Sequence, residues 1–278
     1  MFSFLRVGKK FTVENVNTEV NPLVRVPTGI ETLDQLILGG FPRPSAVGIV
    51  GEVGSGKSLM CQQIAWNAVE MGFNVLYYTT EEAAGDVRTA MNRFRWDVHP
   101  YERDGRFRFV DLFSRGVDVL VKKTDEGKPE DSTDASFDLK FLITSGKDHY
   151  FRAVRGGDLL VVFDSVTSLF LLKRASEVVR FLQIMKYATR VGNAIGVATL
   201  HLGIIDEPVE NMCKSLCDGL IELTCTAPKD KTGCIKVGEK TRYLKIVKMA
   251  RKKHFEGYLP VAVTNQGIVI HGTPQGLK

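Results

Sequence analysis

The sequence predicts an α/β fold: a mostly parallel sheet with helices on both faces and a C-terminal β-hairpin extension. Three observations carry this reading. Short apolar runs alternate with segments of helical periodicity over most of the chain. Two of those runs, Ala46–Val50 and Leu159–Phe163, end abruptly at a glycine-rich loop and at Asp164, the profile of strands buried on both faces. From Leu220 onward the chain is strand-rich with short turns. Hydrophobic residues make up 44% of the 278 positions and charged residues 25%, so a large core can be built.

Taken in order, residues 1–20 read as a polar N-terminal arm, and residues 21–278 as one domain. The stretch from Pro27 to Asp34 looks like a turn and a short helix, closed by Gly39 and Gly40. Lys57 to Met71 reads as a helix, with Leu59, Met60, Ile64, Ala68 and Met71 near helical spacing and Gly72 as its stop. Asn74–Tyr78 is the next strand, Ala83–Phe94 a helix and Arg106–Val110 a strand. Residues 122–136 hold almost no apolar side chain and read as an exposed polar insertion. Phe137–Ile143 fits a strand or the start of a helix. Beyond the Leu159 strand, Val178, Val179, Leu182, Met185 and Ala188 form a core stripe on a helix over Ala175–Arg190, and Ala194–Leu200 is a further strand.

Several classes are disfavoured. No apolar run approaches the roughly 20 residues needed to span a bilayer, so membrane insertion is not expected. The start turns polar too soon for a secretory signal, and a cytoplasmic setting is expected. A net charge of +5 permits an acidic partner, but solubility explains it as well. The five cysteines, Cys61, Cys213, Cys217, Cys225 and Cys234, contain no C-x-x-C pair of the kind that marks zinc sites. Free thiols are the leading expectation, with a Cys225–Cys234 disulfide across a turn and a metal site as alternatives.

The chemistry begins at Gly51-Glu52-Val53-Gly54-Ser55-Gly56-Lys57-Ser58, a complete match to G-x-x-x-x-G-K-[ST]. A strand delivers the loop and a helix leaves it. Glycines let backbone N–H groups turn inward around a phosphate, and the helix N-terminus adds partial positive charge. Lys57 then reaches the β- and γ-phosphates of ATP, and the Ser58 hydroxyl reaches Mg²⁺. Asp164, at the end of the apolar Leu159 run, is the second expected metal residue, on a strand beside the loop's own. A base must still activate water. Glu81 and Glu82, at the end of a strand expected to adjoin the loop strand, are candidates, against an alternative reading as a helix N-terminal acidic pair.

Several motifs in order make the chain resemble the single-core, archaeal-type members of the KaiC-like branch of the RecA superfamily. Thr28-Gly29-Ile30-Glu31-Thr32-Leu33-Asp34 through Gly39-Gly40-Phe41-Pro42 is similar to that branch's opening pattern. Tyr78-Thr79-Thr80-Glu81-Glu82 is similar to its strand-end T-E-E, Arg93-Phe94-Arg95-Trp96-Asp97 to its F-G-W-D with Arg95 in place of glycine, and Asp164-Ser165-Val166-Thr167-Ser168-Leu169 to its D-S-h-x-x-L.

The resemblance implies a RecA-like core, Glu81 as base, and self-assembly into a hexameric ring or filament with ATP at the interface. It implies further that Lys248 of Lys248-Met249-Ala250-Arg251 contacts a neighbour's nucleotide. Ala250 displaces the family's arginine to Arg251, and on a strand a one-residue shift turns a side chain to the other face. The segment around Asn265 resembles one that meets the nucleotide base. His201, at the end of its strand, is either a γ-phosphate sensor or a buried histidine satisfied by backbone.

Beyond ATP, three readings compete: a nucleotide-dependent regulator of another protein, a recombinase paralogue binding single-stranded DNA, and an ATP-binding scaffold with little turnover. The loop expected after the His201 strand, Gly203–Glu210, is acidic and apolar, and the one after the Asp164 strand holds only Lys173 and Arg174. DNA is therefore possible but disfavoured, and a protein partner is preferred.

Overall fold

Central strands that are apolar at consecutive positions must be covered on both sides, and the computed structural model shows how. It describes residues 24–116, 157–171, 173–225, 242–250 and 255–272. The expected arm, the polar insertion at 122–136, the undecided segment 137–143, Cys234 and Arg251 lie outside the described residues.

In chain order the strands are β1 (Arg25–Val26), β2 (Phe41–Pro42), β3 (Ser45–Gly51), β4 (Asn74–Thr79), β5 (Phe107–Asp111), β6 (Leu159–Asp164), β7 (Ile195–His201), β8 (Gly219–Thr224), β9 (Arg242–Met249), β10 (Tyr258–Thr264) and β11 (Gly267–Ile270). The described helices are α1 (Glu31–Leu36), α2 (Lys57–Glu70), α3 (Ala84–Arg93), α4 (His99–Arg103), α5 (Ala175–Val191) and α6 (Glu207–Leu216). A 3₁₀ turn covers Thr167–Leu171.

β1 and β2 form a small antiparallel pair, and the other nine strands form one sheet in the order β11-β10-β9-β8-β3-β7-β6-β4-β5. The strands from β8 to β5 in that order are mutually parallel. β9, β10 and β11 continue the sheet as an antiparallel extension.

Alternate residues of each central strand enter different cores. Val47, Ile49, Val75, Tyr77, Leu160 and Val162 pack with α2, whereas Val50, Leu76, Tyr78, Val161 and Phe163 pack with α5. Each fully buried side chain of this size contributes about 1.5–3 kcal/mol, so the sheet holds its two helical layers without help from any single contact. Gly72, with φ of +91°, follows the end of α2 as expected of a helix stop.

The strand order corrects two expectations. Neither β4, which ends before Glu81, nor β6, which ends in Asp164, adjoins the loop strand β3. β7 pairs with β3 on one side and with β6 on the other, and β4 lies beyond β6. Asp164 still comes within reach of the loop because Ser58 lies in the first turn of α2, which packs against β4, β6 and β7 as well as β3. The segment 203–210 is also not all loop. α6 begins at Glu207, and Glu210 is buried there, accepting from the Gly203 amide at 2.9 Å and bonding Lys214. Burying a carboxylate requires such partners.

In β9 the register slips by one residue: Leu220 pairs with Lys248, but Ile221 pairs with Ile246. The extra residue is Val247, a β-bulge. Leu244, Ile246 and Met249 are therefore the buried positions, and Lys248 faces away from them.

Candidate active site

All the parallel strands deliver their C-terminal ends to one edge, where ligands bind in open α/β sheets. β3 ends in the Gly51–Ser58 loop. α2 leaves it with Gly56 as N-cap (φ +103°), no side-chain cap and no acidic residue in its first turn. Gly54 also has positive φ, at +76°. The first amides of the helix are thus free of side-chain competitors, the arrangement that receives an anion. Val53 stands exposed on the loop, while the Ser55 hydroxyl is buried with no hydrogen-bond partner among the described residues. The Lys57 ammonium lies across the loop, donating to the carbonyls of Gly51 at 3.0 Å and Glu52 at 2.8 Å. Burial lowers its pKa, against the opposing pull of Glu81 and Asp164.

Asp164 is the hub of a buried cluster. Its carboxylate accepts from Ser58 Oγ at 3.1 Å, Thr199 Oγ1 at 2.8 Å and the Tyr77 hydroxyl at 2.8 Å. Burial nevertheless raises its pKa, so desolvation outweighs the three hydrogen bonds. A buried carboxylate beside a serine hydroxyl, at the mouth of an anion-binding loop, suits a divalent cation with oxygen ligands. The Asp164–Ser165 peptide is cis. Thr80 Oγ1 accepts from the Ser165 amide at 2.7 Å and donates to its carbonyl at 2.8 Å, tying the end of β6 to that of β4.

Glu81 is not part of a helix cap. Ala83 is the N-cap of α3, and the helix has no side-chain cap. Instead both Glu81 oxygens are engaged: Oε1 accepts from Ser168 Oγ at 2.8 Å, and Oε2 lies 3.0 Å from His201 Nε2. The hydrogen bond with His201 is the main reason that the Glu81 carboxyl falls below its ordinary value, burial opposing it. Glu82 behaves differently. It is tied through its backbone carbonyl to Thr79 Oγ1 at 2.6 Å, and burial followed by the nearby Asp164 pushes its carboxyl up. The two glutamates are thereby separated in acidity, as groups with different tasks often are. His201 Nδ1 is buried with no hydrogen-bond partner among the described residues, and the His201 amide donates to Thr167 Oγ1 at 2.8 Å.

The sequence-derived residues thus fall into two groups. Lys57, Ser58, Asp164, Glu81 and His201 meet at one edge. Lys248 does not join them: its partner Leu220 lies near the start of β8, at the opposite end of the sheet, and its ammonium donates to the Ser215 carbonyl at 3.4 Å. Asn265 occupies the exposed β10–β11 turn, which stands at the same edge as the chain's own loop because Gln63 of α2 holds Ile268 through both its amide (2.7 Å) and its carbonyl (3.4 Å). Spacing had not suggested Tyr77, Thr199, Ser168 or Arg242. For the first two a signal existed: a hydroxyl-bearing residue in an otherwise apolar buried strand needs a polar partner.

The sequence profile of the family described as "ATPase: KaiC" matches residues 26–275. The chain belongs to the KaiC family of ATPases. A UPF0273 protein of Pyrococcus furiosus is 32% identical over 248 residues, covering 89% of this chain and 94% of that protein. A UPF0273 protein of Aeropyrum pernix is 32% identical over 257 residues, covering 89% and 93%. Among solved structures, a KaiC-like protein from Pyrococcus horikoshii superposes with a TM-score of 0.67 at 25% identity, over 90% of this chain and all of that one. The parallel strands of the sheet place the Gly51–Ser58 loop, Asp164 and Glu81 at one edge. Among the described residues no helix is long and apolar enough to cross a membrane, and no cluster of histidine, cysteine and carboxylate side chains suits a metal. Cys61, Cys213, Cys217 and Cys225 are free thiols.

Proposed function

We propose that this KaiC-family chain binds ATP with Mg²⁺ and hydrolyses it, and that its nucleotide state governs assembly with further copies and with a protein partner. The observation that carries the reading is the convergence of Lys57, Ser58, Asp164 and Glu81 on a single edge of the sheet, with Ser58 and Asp164 in direct contact at 3.1 Å. Mg²⁺, when bound, would supply charge neutralisation to the phosphate oxygens. Ser58 and Asp164 are the residues that would hold it. The amides of Gly54, Gly56, Lys57 and Ser58 cradle the phosphates, and Lys57 swings from the Gly51 and Glu52 carbonyls to the β- and γ-oxygens.

Glu81 is the base. It stays ionised because His201 and Ser168 donate to it, and on turning from them it accepts the proton of the attacking water. Catalysis of this type contributes about 10²–10⁴-fold, so a slow rate is expected from a base that must first leave two hydrogen bonds. Lys248 lies too far from its own loop to serve it, which supports its acting on a neighbour's nucleotide. A regulator with a protein partner is preferred to a DNA-binding paralogue because α6 and the buried Glu210 occupy the segment where a basic loop would be needed.

The test is ATP turnover by the purified chain and by Glu81→Gln, with and without single-stranded DNA. Glu81→Gln should bind nucleotide with wild-type affinity and lose about 10²-fold or more in rate. A variant as fast as wild type removes Glu81 from the chemistry, and stimulation by DNA favours the recombinase reading. Wild-type turnover near zero under every condition leaves a nucleotide-binding scaffold.

A further inference from the structure

The loop's inner side faces the phosphates, but its outer side is also occupied. The Gly54 carbonyl points away from the nest and accepts from Arg242 Nε at 3.4 Å, with the Cys225 thiol 3.7 Å from the same oxygen. The Arg242 stem runs along the loop: a methyl group placed on Gly56 would sit 3.9 Å from its Cδ and 4.0 Å from its Nε. Beside it, Glu52 Oε2 accepts from the Cys225 amide at 3.1 Å. The loop is therefore fastened from outside at two of its eight residues, by the end of β8 and the beginning of β9.

We infer that Arg242 is a positioning residue for nucleotide binding, which clamps the crown of the phosphate loop through the Gly54 carbonyl. Gly54 and Ser55 share one peptide unit. Its carbonyl meets the guanidinium, while its N–H closes the loop's inner turn on the Glu52 carbonyl at 3.2 Å. A cation on the carbonyl strengthens the donor at the other end of the same peptide and fixes its plane. Gly54, at φ +76°, has neither a side chain nor a preferred backbone basin to hold it there. Without the clamp, the loop must pay the ordering cost when phosphate arrives, and affinity falls. The inference rests on the reading of the loop as an ATP site.

The test is titration of full-length wild type, Arg242→Ala and Arg242→Met with fluorescent Mg-ATP and Mg-ADP analogues, alongside unfolding midpoints without nucleotide. Methionine keeps the apolar stem against Gly56 and removes the donor. Both variants should bind about two- to tenfold more weakly, as expected for loss of one long, exposed hydrogen bond, with KM for ATP raised and kcat at saturation within about twofold. Their nucleotide-free unfolding midpoints should match wild type. An Arg242→Met protein that binds as tightly as wild type overturns the inference. So does a loss of affinity accompanied by a collapse of the nucleotide-free midpoint, since that marks a merely structural arginine. Failure of the wild-type protein itself to bind would instead refute the ATP-site reading.

Discussion

Glu81 and His201 meet at 3.0 Å, and their pairing has a signed consequence for pH. The Glu81 carboxyl lies below the ordinary glutamate value of 4.5, chiefly because of His201. A base works only while ionised, so protonation of Glu81 itself should not limit activity until pH falls below 4.5. The stability linked to this pairing follows the same sign: present above the unfolded value and lost as pH falls through the lowered folded one. In His201→Ala the largest cause of the depression is gone while burial still raises the pKa, so the acid limb of the kcat profile should move upward. Assays shorter than acid unfolding check this, and a limb that does not move refutes it. At this scale the sequence was legible where backbone chemistry dictates residue type: glycines and a lysine at fixed spacing leave few alternatives. It was not legible for Ser168 or Arg242, because a serine or arginine on a short turn or strand end carries no mark of which partner lies across the sheet.

Among the elements, the β10–β11 hairpin is anchored to α2 as well as by its own strand pairing. Gly267, at φ +111°, brings its backbone so near that an added Cβ would lie 2.6 Å from the Gln63 amide oxygen and 2.7 Å from the Trp96 ring. Gly267→Ala therefore combines a strained backbone with a clash against two buried groups, and should lower stability by about 1–3 kcal/mol in a denaturant titration. An unchanged midpoint would show that the hairpin can undock without cost. The spans of α2, α3, α5 and β3 to β7 were readable from periodicity to within a residue or two, whereas α4 and α6 were not read as helices. The order of strands was not. The insertion of β7 between β3 and β6 is a decision of crossover connections, and local patterning carries no information about which parallel neighbour a strand will choose.

For the molecule as a whole, the two ends of the sheet separate the proposed chemistry: Glu81 and the loop at one, Lys248 at the other. If ATP is shared between subunits, Lys248→Ala and Glu81→Gln should each be inactive alone, yet regain roughly a quarter of wild-type turnover when mixed at equal amounts and allowed to reassemble, because one interface in four then pairs an intact base with an intact lysine. No recovery in mixtures whose light scattering shows co-assembly would place Lys248 outside the site. Self-assembly is implied only by family resemblance, since a single lysine on a strand looks the same whether it faces solvent or a neighbour. The supernumerary Val247 in β9 sets a different kind of constraint. Because the bulge takes Val247 out of the alternation, Lys248 and Met249 keep the faces they would have in a strand one residue shorter, and deleting Val247 should straighten β9 without turning either side chain over. The face that a side chain of β9 takes is set by its partner in β8 and not by its count along the chain.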